Sequence, residues 1–196
     1  MFENLQLPLK QVLCGNVLLI TCCGFYLAWW LVAFRIDDPI KGMKSGWLLI
    51  PAVIAGMAAI IILVRSIIDI GSEHAVVPNF SFIIGGVLAY VIFAVVTAVF
   101  FKRQMTTELL LFVGWGALAL ALVNTLYGSQ QLAPSSSLVL VIIIVAVIAV
   151  SLVCYVLFYR LEPLQAYYDG MIPLILVALT MAALSVCMLV SPQVSI

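Results

Sequence analysis

Six long apolar runs follow one another along the chain, each closed off by a short polar segment. They cover residues 12–34, 47–68, 80–101, 109–127, 138–158 and 171–190. A bilayer's hydrocarbon core is about 30 Å thick and is crossed by roughly 20 apolar residues in a helix. Lipid offers no water to satisfy backbone groups, so runs of this kind fold as helices. The short in–out alternation of an outer-membrane barrel is not found. The pattern therefore predicts an all-α fold: a polytopic membrane helix bundle, one domain over residues 1–196, with six transmembrane helices.

The polar boundaries repeat in kind. Odd runs end in "VAFR", "VFFKR" and "LFYR", whereas even runs finish in "DIGS", "LYGS" and "VSP". This arrangement predicts three consecutive hairpins. An aromatic belt with a basic anchor at each inward-going end accounts for the likeness as well as a true internal repeat does. The fifth run, "LVLVIIIVAVIAVSLVCYVLF", is apolar all round and is expected to face lipid. Small residues recur four apart at Ala52 and Gly56, Ala117 and Ala121, and Ala178 and Ala182. That spacing lets helices approach closely and places the even helices inside, although Gly24 with Ala28 and Gly85 with Ala89 share it. Pro51 and Pro173 fall near helix starts, where a missing N–H costs least.

Composition removes the alternative of a soluble globule. Hydrophobic residues make up 66% of the chain and charged residues 8%, with a mean hydropathy of +1.32. A domain this small has too little interior to bury so much apolar surface. Charge then sets the orientation. The first, third and fifth loops carry Arg35, Lys41, Lys44, Lys102, Arg103 and Arg160, against Lys10 and Arg65 on the other side. Basic residues in short loops stay cytoplasmic, so both termini are expected outside, in a multi-pass protein of the cell (cytoplasmic) membrane. The first run is too long for a signal peptide, and its Trp29-Trp30 end is no cleavage site. The net charge is zero, and no basic tail or phosphate-cradling loop points to nucleic acid. Cys14, Cys22, Cys23, Cys154 and Cys187 all lie within runs, where cysteine behaves as a small hydrophobe.

Candidate chemistry is sparse. Charge near the bilayer core is costly and usually functional, and only Arg65 and Asp69 approach it. They stand four apart on one helical face, which Glu73 continues and His74 follows. With Asn16 and Asn124 they form a candidate polar mouth or solute path; a self-neutralised interfacial arginine and ordinary interhelical hydrogen bonds are the plainer readings. In the first loop, "RIDDPIKGMKSG", Asp37, Asp38, Lys41 and Lys44 are candidates for docking a protein partner. Ser45 and Asp169 are placed to cap the second and sixth helices.

No HExxH, GxSxG or intramembrane acid pair is present, no run contains a lysine for retinal, and one histidine excludes bis-histidine haem ligation in a monomer. No enzyme activity, cofactor or metal is expected. The partner foreseen is the bilayer, with a homo-oligomer or a protein partner left open. Two functions fit: a small channel or facilitated carrier for an uncharged or weakly polar solute, or a non-transporting membrane subunit, such as the substrate-binding component of a larger transporter.

Overall fold

A computed structural model describes residues 7–34, 46–74, 76, 81–100, 107–158 and 160–190. Helices make up the described secondary structure: α1 (Leu7–Ala33), α2 (Leu49–Glu73), α3 (Ser81–Phe100), α4 (Thr107–Gly128), α5 (Pro134–Leu157), α6 (Pro163–Asp169) and α7 (Ile172–Val190). Among the described residues, five helical stretches are long and apolar enough to cross a membrane: Leu7–Ala33, Leu49–Glu73, Leu111–Gly128, Pro134–Leu157 and Pro163–Val190. This is the build of a multi-pass membrane protein. α3 is a helix of 20 residues over the third apolar run.

Two helices depart from the sequence boundaries in an instructive way. α2 continues past the apolar run, through Asp69 to Glu73, so the helical face read at Arg65, Asp69 and Glu73 lies within one helix. The segment "PLQAYYD", read as loop, is the short helix α6, which starts at a proline after the extended residue Glu162. Proline's fixed φ and absent N–H suit a first helical position.

The helices α2, α1, α7, α5 and α4 form a ring in which α4 also meets α2, and α3 packs on α4. The α1–α2 pair is the tightest. α2 turns a stripe of Ala52, Ala55, Ala59, Leu63 and Ser66 inward, spaced three and four residues apart as one helical face requires. Gly15 of α1 meets this stripe so closely that a methyl added there would lie 2.6 Å from the Leu63 side chain. Small residues thus give the close van der Waals packing that joins helices in lipid.

α4 is the central helix: half of its Leu111–Gly128 window is buried, the largest share of the five. The fifth run, expected to face lipid, is 28% buried: it exposes Leu138, Val139, Ile142, Val145, Val150 and Val153 and buries Leu140, Ile144, Val147, Ser151 and Cys154 along the side of α5 that packs on α4 and α7. Lipid tails are as apolar as leucine, so an all-apolar pattern does not mark which side of a helix is covered. Among the described residues the helix with a single helical neighbour is α3.

α1 runs antiparallel to α7 and is fastened near both of its own ends, to α7 at one and to α6 at the other. Asn16 Nδ2 donates to Ser185 Oγ at 3.0 Å, and Trp30 Nε1 donates to the Tyr167 carbonyl at 3.1 Å. The two anchors on α1 lie about 21 Å apart along the helix axis at ~1.5 Å per residue. They define an asparagine end and a tryptophan end of the bundle.

Candidate functional site

The ring of helices encloses a cavity of about 730 Å³. Its walls come from α1, α2, α3, α4, α5 and the α6–α7 turn, and they are almost wholly apolar. Toward the asparagine end the lining stops at Leu19, Ile68 and Thr125. Beyond that level Val12, Ile70, Leu126, Leu140 and Leu184 are fully buried and fill the interior. Interiors packed in this way leave few voids larger than a water molecule, so the cavity is a chamber closed at that end.

The tryptophan end is closed by aromatic rings. Trp30 stacks on Phe34 with centroids 4.4 Å apart and meets Phe158 edge-on at 5.7 Å. Its indole lies flat over Gly170, where any side chain would overlap the ring. The bond from Trp30 Nε1 to Tyr167 fixes the indole there. The need at residue 170 is therefore for empty volume and not for unusual backbone, since its φ of −65° is ordinary.

The third boundary is incomplete. α2 and α3 both line the cavity, but among the described residues they do not pack on each other. The lining residues there, Ile60, Val64 and Ile68 of α2 and Val87 of α3, are large, apolar and exposed. In a membrane this gap opens sideways toward lipid. α3 is held to α4 at close range, because a methyl on Gly86 would lie 2.8 Å from the Ala117 Cβ.

Polar groups in the walls are few and poorly partnered. Asp169, the last residue of α6, is 8% exposed, and its Oδ2 has no hydrogen-bond partner. The Cys154 thiol of α5 lies within hydrogen-bonding reach of the same carboxyl. Trp115 of α4 is 9% exposed, with its indole Nε1 unpartnered. Buried polar atoms are ordinarily bonded, so two such groups in the wall of one chamber are conspicuous. Among the described lining residues Asp169 is the one acid, and there is no Lys, Arg or His.

The residues singled out from the sequence lie elsewhere. Asn16 is buried and joins α1 to α7, with its Oδ1 unpartnered. Arg65 and Asp69 face each other at 3.8 Å on the outside of α2, at 75% and 38% side-chain exposure. Glu73 is exposed; His74 is half-buried, with Nδ1 3.2 Å from the Ile70 carbonyl. Asn124 is half-buried on α4. None of these six lines the cavity. Asp37, Asp38, Lys41, Lys44 and Ser45 lie outside the described residues. Asp169, expected to cap the sixth helix, instead terminates α6, with two residues between it and the start of α7 at Ile172.

Sequence reasoning passed over Trp30, Trp115 and Cys154 as ordinary belt and core residues. The one available signal was a lone acid, Asp169, beside the glycine of "YYDGM". Nothing local could tell that Gly170 is occupied by a tryptophan 140 positions earlier. The five cysteines are free thiols, and Cys22, Cys23 and Cys154 line the cavity. No protein-family model, curated protein or solved structure matches this chain.

Proposed function

We propose that the protein takes an apolar or weakly polar small molecule from the lipid phase into its helix bundle, acting as a facilitated carrier in the cell membrane. The observation that carries this reading is the apolar chamber of about 730 Å³ with its gap between α2 and α3. Such a volume lies within the range of small-molecule sites, which are mostly apolar with a few placed polar groups. A water-filled channel fits less well, because packed leucines occupy the bundle beyond Thr125 and the lining offers little to replace a hydration shell. In this reading α3 is a sixth span, completing three hairpins, and both termini lie outside, as the basic residues of the odd loops favour.

The test is to purify the protein in mild detergent and identify co-purifying small molecules by mass spectrometry, beside a variant whose cavity mouth is filled, Val64→Trp. A small apolar molecule retained by the wild type and depleted at least severalfold in the variant is the expected result. Equal recovery from both, or leakage of polar solutes from vesicles containing the protein, would overturn it.

A further inference from the structure

Resting on that reading, we propose that the cavity recognises its occupant by the head group: a single-chain amphiphile with a positively charged amine head, seated against Asp169 at the tryptophan end, its tail running along α4 toward the gap between α2 and α3. Three observations point the same way. The carboxyl is buried in the wall of an apolar chamber, and Oδ2 has no partner. Burying an acceptor without a bond is costly, and more so for a charged group. A ligand that supplies a donor removes that cost, and this makes Asp169 a recognition element.

The choice of an amine follows from what the walls lack. Among the described residues no basic side chain lines the cavity, so an ammonium meets no like charge there. Charge-assisted hydrogen bonds to a carboxylate are about twice as strong as neutral ones. A hydroxyl head donates too, but without the charge; a carboxylic acid head would set like groups against each other. Rotation of the carboxyl about Cβ–Cγ exchanges its two oxygens, so either can face the head. The thiol of Cys154 also reaches this carboxyl, and it marks the α5 side of the seat.

The rest of the chamber suits a tail. Pro173, Leu174 and Val177 of α7 continue from Asp169 along one wall, and Leu118 and Ala121 of α4 along another. The mouth is lined by Ile60, Val64 and Val87. An alkyl chain there meets mostly apolar side chains, and its head arrives at the one acid of the described lining.

The experiment uses the full chain in phosphatidylcholine nanodiscs and three probes of equal chain length: dodecylamine, dodecanol and dodecanoic acid. Each is titrated at matched mole fraction in the lipid. Occupancy is read from the shift of the thermal unfolding midpoint, since a ligand bound to the native state raises it by mass action. Val64→Trp, which fills the mouth, subtracts effects of the probes on the bilayer itself. The expected order is amine, then alcohol, then acid, with the amine bound about tenfold tighter than the alcohol. In Asp169→Asn the amine and alcohol should fall within about twofold of each other. If that variant does not fold, the order of the three probes on the wild type decides alone. Equal occupancy by all three, or an acid bound as well as the amine, overturns the head-group assignment and leaves the cavity reading in place. No occupancy by any probe overturns both.

Discussion

α1 is fastened near each end by one side-chain hydrogen bond, to α7 at one and to α6 at the other, yet the two ends are built differently. At the asparagine end the anchor is a pair of small polar groups, Asn16 and Ser185, backed by packed leucines and flanked on α2 by the exposed Arg65–Asp69 pair. At the tryptophan end the anchor is a large indole that also stacks on Phe34, meets Phe158 and fills the space above Gly170. The first end is solid and the second borders a chamber. Conspicuous charge thus sits where the structure needs it least, and a single acid sits where the interior is open.

The comparison predicts a ranking of effects. The largest belongs to Trp30→Ala, which removes a hydrogen bond, three ring contacts and the lid over Gly170. Truncation of a buried tryptophan costs about 3–5 kcal/mol, or roughly 10 °C in unfolding midpoint at ~2–4 °C per kcal/mol for this chain length, as read by thermal unfolding in detergent. A loss under about 1 kcal/mol would mean that the tryptophan end is as lightly held as the other.

The middle effect belongs to the other anchor. In a double-mutant cycle, Asn16→Ala and Ser185→Ala should couple by about 0.6 kcal/mol, the usual worth of an interhelical hydrogen bond in a membrane bundle. A coupling near zero would show that Ser185 serves only its own carbonyl at Met181, to which it donates at 2.8 Å.

Asp69→Ala should have the smallest effect, within about 0.5 kcal/mol. An exposed i,i+4 pair is worth a few tenths, and at 3.8 Å this one is long for a hydrogen bond. Raising the salt concentration should leave stability unchanged within error. A clear salt-dependent loss would give the pair a structural weight that its exposure denies.

Much of the fold was legible because lipid imposes it. Lipid leaves no choice but helix for an apolar run of about 20 residues; of the small pair read on α2, Ala52 and Gly56, Ala52 belongs to the buried stripe and Gly56 lines the cavity. What stayed hidden depends on distance along the chain. Over its first half the buried side of α5 looks like its exposed side, since Leu140, Ile144 and Val147 are buried while Leu138, Val139, Ile142 and Val145 are exposed. The chamber arises from where side chains fail to meet among six helices, and no window of sequence records an absence. Asp169 was visible as a residue and misread as a cap, because a turn and a cavity wall call for the same amino acid until the neighbouring helices are in place.

The gap between α2 and α3 changes what concentration means for this protein. A molecule that enters sideways partitions into the membrane first, gaining about 0.8 kcal/mol for each CH₂ it buries. That gain is complete before the protein is reached, and moving the tail from lipid to the chamber exchanges one apolar surrounding for another. Lengthening the tail should therefore raise the apparent affinity measured against the water phase while leaving it nearly constant as a mole fraction in lipid. Selectivity then falls to the parts of the molecule that lipid does not reward: the head, and the bulk that must pass between two helices.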